Sequence, residues 1–145
     1  MKFTTFLRNN NSRSKMRSDS AALDLSSNAE YSNRFLIVVQ TELLRMPIDS
    51  ILLQYLPLGK FAYILHNKEP GVPSHYHIYV DLNKSSSKID IANWFRIHPG
   101  FIEFCNSSVS GVLYYMLRST IIGMYKPSDI VANFDISEFI NTSSY

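Results

Sequence analysis

Hydrophobic and polar residues alternate along residues 74–81, which read Ser-His-Tyr-His-Ile-Tyr-Val-Asp. In a β-strand, successive side chains leave on opposite faces. Tyr76, Ile78 and Val80 would therefore share an apolar face suited to a core. The opposite face would carry His75, His77, Tyr79 and Asp81. The pattern predicts a strand that presents two imidazoles side by side, and we refer to it as the histidine strand.

A second strand is predicted just upstream, over residues 60–65, where the chain reads Lys-Phe-Ala-Tyr-Ile-Leu. The segment 70–73, Pro-Gly-Val-Pro, is rich in turn-forming residues and separates this strand from the histidine strand. The two strands should therefore pair as an antiparallel hairpin. Such a hairpin would bring His66 and Glu69 to the same end of the sheet as the two histidines.

Amphipathic patterns elsewhere in the chain predict two helices. The first begins at Pro47 and ends before Pro57, and the second follows the serine-rich segment 85–87. Their apolar members are Ile48, Ile51, Leu52, Tyr55 and Leu56 in the first helix, and Ile89, Ala92, Trp94 and Phe95 in the second. Each helix has one apolar side that needs a partner surface.

The remaining elements complete the predicted order. Residues 34–41 are a continuous apolar run rich in β-branched side chains, which is typical of a central strand buried on both faces. Residues 101–105 predict a further strand, residues 109–119 a third helix after possible serine caps, and residues 127–129 a short helical turn. The order β-α-β-β-α-β followed by a helix predicts an α+β fold, a ferredoxin-like antiparallel sheet with two helices on one face.

Length, composition and charge limit the class of protein to which the chain can belong. The chain has 145 residues, 46% of them apolar, which suits one domain with a real core. No apolar run is long enough to cross a bilayer, and the single cysteine, Cys105, fits a reducing cytoplasm. The net charge is +2, yet the first eighteen residues carry five basic and no acidic side chains. Residues 1–30 therefore predict a disordered basic tail, residues 31–136 the folded domain and residues 137–145 a polar end.

The histidines indicate a metal site. Three of the four histidines in the chain, together with Glu69, fall within residues 66–77. Imidazole nitrogens combined with a carboxylate suit Mn²⁺, Mg²⁺ or Zn²⁺, and an open coordination position would make the site catalytic. The alternative is that these are ordinary histidines hydrogen-bonded to loops. His98, beside Pro99 at a helix end, belongs to no cluster and is predicted to lie on the surface.

The third helix would supply the side chains that act together with the metal. Its apolar stripe consists of Val109, Val112, Leu113, Met116 and Leu117. Tyr114 and Tyr115 lie on opposite flanks of that stripe, where a hydroxyl can reach a polar site while the ring is half buried. Periodicity does not choose between the two tyrosines, and both are compatible with simple amphipathic packing. Arg118 lies three residues beyond Tyr115 and could contact a phosphate bound beside that tyrosine, although an arginine in such a position is more often a solvated charge.

Four motifs together resemble a known family. They are His66-Asn67-Lys68-Glu69, His75-Tyr76-His77-Ile78-Tyr79-Val80, Tyr114-Tyr115-Met116-Leu117-Arg118 and Asn133-Phe134-Asp135-Ile136. In this order and spacing they resemble the motifs of rolling-circle replication initiators, the HUH endonucleases. The likeness is greatest to the Rep proteins of small plasmids from Gram-positive bacteria, and it runs over residues 35–136.

The resemblance implies a metal-dependent, site-specific single-strand DNA endonuclease that nicks a plasmid origin through a 5′-phosphotyrosine link. His75, His77, His66 and Glu69 would bind Mn²⁺ or Mg²⁺ on the sheet face opposite the two helices. Tyr115 fits the register of the nucleophile better than Tyr114. The implied partners are DNA, as an origin hairpin or a single-stranded nick site, and a host replication helicase. Candidate DNA contacts are Lys68, Arg118, Lys126 and Lys84.

Two other functions remain open at this point. A transposase or relaxase would use the same chemistry on a different DNA target. A catalytically inactive module of the same fold would bind single strands on an open sheet face through exposed aromatic side chains such as Tyr63 and Tyr79.

Overall fold

The predicted alternation of strands and helices is present in the computed structural model, which describes residues 30–54 and 58–142. The strands are β1 (Ser32–Gln40), β2 (Leu58–His66), β3 (His75–Ser86), β4 (Ile102–Phe104) and β5 (Val131–Ala132). The α-helices are α1 (Ile48–Leu53), α2 (Lys88–Phe95) and α3 (Val109–Met116). Short 3₁₀ turns occupy Thr41–Leu43, Pro99–Phe101, Pro127–Asp129 and Ile136–Glu138. The predicted tail up to residue 29, the helix members Tyr55 and Leu56, and residues 143–145 lie outside the described residues.

The five strands form one antiparallel sheet in the order β4-β1-β3-β2-β5. The histidine strand, β3, lies in the middle and pairs with β1 on one side and β2 on the other. The β2–β3 register places His66 opposite His75, so the predicted hairpin is confirmed. The two-residue strand β5 was not predicted, because its pairing with Ala62 and Tyr63 depends on a contact distant in sequence.

Each face of the sheet has its own hydrophobic core. Helices α1 and α2 pack on the face that carries Ile78 and Val80. On the other face, Leu113 and Met116 of α3 pack against a cluster that includes Ile64 and Tyr79 of the sheet. The α+β class, the antiparallel sheet and the two faces of the histidine strand are therefore confirmed. No helix in the described stretches combines the length and apolar character needed to span a membrane.

Several local predictions need correction. β1 is not buried equally on both faces, because Phe35, Ile37 and Val39 are buried while the side chains between them are only partly covered. β3 continues to Ser86, so Ser85 and Ser86 of the serine-rich segment belong to the strand. Ser87 instead caps α2, with its hydroxyl accepting from the Asp90 amide in a capping box.

α3 ends at Met116, three residues earlier than predicted. The amides of Leu117 and Arg118 donate to the carbonyls of Tyr114 and Tyr115, respectively, which tightens the last turn into i to i−3 bonds. The carbonyl of Met116 is thereby left outside the helical ladder, where a side chain can reach it.

The aromatic residues proposed for an open binding face are buried. Tyr79 is fully buried under α3, and its hydroxyl accepts a hydrogen bond from Arg34 Nε at 3.0 Å. Tyr63 is 7% exposed on the opposite face, where its hydroxyl donates to Asp49 Oδ1 at 2.5 Å. The expectation that Tyr63 and Tyr79 present stacking surfaces to a single strand is wrong, because both sheet faces are covered by helices or loops at these positions.

Candidate metal centre

Three imidazoles converge at the end of the β2–β3 hairpin. His66 lies directly across from His75, and His77 lies two residues further along β3 on the same face. The centroid separations are 5.2 Å for His66–His75, 4.5 Å for His66–His77 and 5.1 Å for His75–His77. One nitrogen of each ring lies within 4.8 Å of the other two. The sequence prediction that these side chains come together is therefore confirmed.

Backbone carbonyls orient two of the rings. His66 Nε2 lies 2.6 Å from the Met116 carbonyl oxygen, and His75 Nδ1 lies 2.9 Å from that of Pro73. Because a carbonyl oxygen only accepts, the facing nitrogen must carry the hydrogen. In the neutral rings, the free lone pairs are then on His66 Nδ1 and His75 Nε2. Metal-binding histidines are oriented by this kind of hydrogen bond on the other nitrogen.

Burial keeps the interior histidines neutral. Desolvation lowers the pKa of His77 from 6.5 to about 3, assisted by the neighbouring imidazoles of His66 and His75. Desolvation also lowers the pKa of His66, although its hydrogen bond to Met116 opposes the shift. His77 Nδ1 is buried with no hydrogen-bond partner among the described residues. A buried, unpaired ring nitrogen beside two free lone pairs fits a cation, since imidazole is a preferred ligand of Zn²⁺ and other divalent transition metals.

Glu69 lies at the rim of the same pocket. Its Oε1 is 3.7 Å from His66 Nδ1, and its side chain is 16% exposed. Three histidines and Glu69 line a cavity of about 460 Å³ between the hairpin end and α3. A carboxylate at this position would add one negative charge to a set of neutral nitrogens, which strengthens the attraction for a divalent cation.

The two tyrosines of α3 differ in their access to the histidine pocket, although both line the neighbouring larger cavity. The Tyr115 ring lies 5.4 Å from the His77 ring at 75°, and Tyr115 lines the histidine pocket. Tyr114 lines a neighbouring cavity of about 700 Å³ and is absent from the lining of the histidine pocket. Arg118 borders both cavities, and its guanidinium carbon is 6.0 Å from the Tyr115 ring centroid. Of the two candidates, Tyr115 is therefore the one placed beside the histidines.

The lysines predicted to contact DNA are dispersed. Lys68 Nζ donates to the Met124 carbonyl at 3.0 Å and lies 3.6 Å from Asp129 Oδ2, at the edge of the site. Lys126 is exposed beside Tyr125. Lys84 lies nine residues along β3 from His75, a separation of about 30 Å in an extended strand. The structure groups Arg118 with the histidines and places Lys84 far from them. His98 is exposed, as predicted, and its Nδ1 accepts from the Gly100 amide.

Sequence reasoning missed Tyr125. Its ring stacks on the His66 imidazole with centroids 4.1 Å apart and planes 7° apart. Tyr125 lies in irregular chain after α3, where no periodicity marks a residue as part of a site. The carbonyl of Met116 was also missed, because main-chain acceptors leave no trace in a sequence pattern.

Comparison with known proteins gives one partial likeness. No family model matches the sequence. Among curated proteins, the chain is similar to one named "Replication protein" from Onion yellows phytoplasma (strain OY-M), with 25% identity over 119 residues. The match covers 69% of this chain and 32% of that protein, so the chain spans about a third of the relative's length. The likeness is thus to part of a longer replication protein.

Proposed function

We propose that this chain is a metal-dependent, site-specific single-strand DNA nicking and strand-transfer enzyme that acts at a replication origin. The observation that carries the proposal is the placement of Tyr115 beside three converging histidines in one pocket. The similarity to a protein named "Replication protein" supports a role in replication. The strand order β4-β1-β3-β2 supports the ferredoxin-like arrangement of such a nuclease domain.

His66, His75 and His77, with Glu69 at the rim, would hold the divalent cation. The nitrogen donors suit a transition metal such as Mn²⁺, and Mg²⁺ is the alternative that the family resemblance implies. When bound, such a cation polarises a phosphate and offsets the negative charge that develops on a leaving oxygen. The chain itself keeps His66 and His77 uncharged by burial and aims the free lone pair of His66 away from the Met116 carbonyl. The site is therefore ready to bind without first losing protons from these two rings.

Tyr115 would be the nucleophile. Its oxygen forms a bond to the scissile phosphorus, and the bond from phosphorus to the 3′ oxygen breaks. The products are a 5′-phosphotyrosine link and a free 3′-OH, which receives the proton that the tyrosine hydroxyl loses. One phosphodiester replaces another, so the strand can be rejoined without ATP. Arg118, next to the Tyr115 ring, would balance charge on the tyrosine oxygen and the phosphate.

The substrate would be single-stranded at the nick, as in an extruded hairpin, because Tyr115 is only 37% exposed and lies against the sheet. A duplex would have to be opened for its phosphate to reach this pocket. Extension from the 3′-OH would then require the duplex to be unwound, which a host replication helicase would do. A transposase or relaxase would use the same residues, and the DNA sequence that is cut distinguishes it from an initiator.

The test is covalent trapping. The protein is incubated with Mn²⁺ and a library of hairpin oligonucleotides labelled at the 3′ end, so that the linked fragment carries the label. We expect a labelled band that survives boiling in detergent and disappears on protease treatment. An identical library labelled at the 5′ end should give a shortened free strand and no labelled protein. Tyr115→Phe should abolish the band, whereas Tyr114→Phe, the matched control on the same helix, should retain it.

Three results would contradict parts of the proposal. A band that persists in Tyr115→Phe would remove this residue as the nucleophile. A band that forms equally in EDTA would remove the metal requirement. Single-strand binding without any band, unchanged in His75→Ala, would favour the catalytically inactive binding module instead.

A further inference from the structure

We infer that Tyr125 is a positioning residue that fixes the plane of the His66 imidazole and thereby the direction of its free lone pair. The inference deepens the proposed function and rests on it in one respect, the role of His66 as a metal ligand. Tyr125 is 1% exposed and lies 59 positions beyond His66 in the chain, yet the two rings are nearly parallel at 4.1 Å. The contact joins the segment after α3 to the end of β2.

Two contacts restrain the plane of the His66 imidazole. The bond from His66 Nε2 to the Met116 carbonyl restrains one ring atom, and a rotation of the ring about its Cβ–Cγ bond would move that nitrogen out of line with the carbonyl and break the bond. A flat aromatic neighbour adds a second restraint, because the same rotation would drive one edge of the imidazole into the ring. With Tyr125 on its face and Met116 at its edge, His66 has only Nδ1 left to offer, and that atom lies towards Glu69.

Tyr125 is held in place by its burial in the core that α3 forms with the sheet, and Lys68 makes additional contacts with it. The Lys68 amide donates to the Tyr125 hydroxyl at 3.0 Å, and Lys68 Nζ lies 5.2 Å from the Tyr125 ring centroid. The same ammonium group donates to the Met124 carbonyl and approaches Asp129. The ammonium group of Lys68 therefore has two contacts inside the protein, with Met124 and with Asp129. The geometry places Lys68 against Tyr125, and a contact of its half-exposed ammonium group with DNA stays a prediction.

The arrangement also links the metal site to the nucleophile. Met116, whose carbonyl accepts from His66, is the residue that follows Tyr115 on α3. A rotation of His66 would break this hydrogen bond and free the end of the helix that carries Tyr115. Tyr125 thus stabilises both the ligand direction of His66 and the position of the tyrosine relative to the histidines.

The first test compares Mn²⁺ affinity with stability in the full chain. Tyr125→Leu removes the flat ring, and Tyr125→Phe keeps the ring but loses the hydroxyl. Tyr63→Leu is the matched control, because it truncates another buried tyrosine on the opposite face of the sheet. We expect Tyr125→Leu to weaken Mn²⁺ binding at least tenfold, within the range of about 10–100-fold seen for groups that orient metal ligands. Tyr125→Phe and Tyr63→Leu should stay within about twofold of the parent.

Equal Mn²⁺ affinity in Tyr125→Leu and Tyr63→Leu would overturn the inference, since it would show a role in stability alone. A tenfold loss in Tyr125→Phe would overturn it as well, because the stacked ring is still present in that variant. Circular dichroism at the titration temperature identifies folded samples. If Tyr125→Leu does not fold, a tenfold loss of Mn²⁺ affinity in Tyr125→Phe would still overturn the inference.

A second test needs no metal. Nitrogen-15 NMR in EDTA at pH 7.5 reports the tautomer of each histidine, and His66→Gln identifies the His66 signals. The parent and Tyr125→Phe should show His66 as a single Nε2–H tautomer, whereas Tyr125→Leu should show averaged tautomers. An unchanged His66 tautomer in Tyr125→Leu would overturn the inference. A parent that binds no Mn²⁺ would refute the metal role in the proposed function, and the NMR result would still decide whether Tyr125 orients His66.

Discussion

Acid should destabilise this protein through His77. The pKa of His77 is about 3 in the folded chain against 6.5 as the ordinary value, so the unfolded chain takes up the proton first. The stability that depends on a neutral His77 is fully present above pH 6.5 and is lost as the pH falls towards 3. At 1.36 kcal/mol per pH unit, the 1.5 units between 6.5 and 5 correspond to about 2 kcal/mol of unfolding free energy. The full loss near pH 3 would be about 5 kcal/mol.

The assay is urea unfolding followed by circular dichroism at pH 7.5 and pH 5, with EDTA present to exclude metal. His77→Gln should reduce the loss between the two pH values by about 2 kcal/mol relative to the parent. The His77→Gln variant should still lose some unfolding free energy between pH 7.5 and pH 5, since burial also lowers the pKa of His66. Ile122→Ala, a change at a 99% exposed side chain that carries no titratable group, is the control and should leave the pH dependence unaltered. An identical pH dependence in the parent and His77→Gln would refute the reasoning.

Two predictions concern stability elsewhere. Leu113→Ala, in the fully buried centre of α3, should lower the unfolding free energy by about 2–5 kcal/mol in urea titrations, while Ile122→Ala at a 99% exposed side chain should change it by less than about 0.5. A Leu113 variant as stable as the Ile122 variant would contradict the packing of α3 on the sheet. Ser87→Ala should cost about 1 kcal/mol because it removes the hydroxyl that accepts from the Asp90 amide, and Ser85→Ala, outside the cap, should be neutral. Equal effects at the two serines would argue against the capping box.

The convergence of the histidines was predictable because it depends on local rules. Alternation along β3 places His75 and His77 on one face, and the turn-forming segment between the strands lets β3 return beside β2. Once the two strands pair, His66 lies near these histidines, and this position does not depend on the other elements of the fold. The amphipathic stripe of α3 likewise anticipated the burial of Val112, Leu113 and Met116.

The burial of Tyr63 and Tyr79 could not be read from the alternation. A strand pattern separates two faces but does not say whether a face meets solvent, a helix or a loop. Here both faces are covered, so two tyrosines that looked suitable for stacking on bases are part of the two cores. Their hydroxyls find partners in Asp49 and Arg34, which lie 14 and 45 positions away in sequence.

The sequence by itself determined the α+β class, the hairpin and the meeting of His66, His75 and His77, because each follows from spacing within one or two adjacent elements. Periodicity left the choice between Tyr114 and Tyr115 open, and the tertiary structure decided that Tyr115 lies beside His77 and that Tyr125 and the Met116 carbonyl contact His66. These contacts join parts of the chain about 40 to 60 positions apart. Their geometry is set by how α3 and the segment after it pack on the sheet, which no local period encodes.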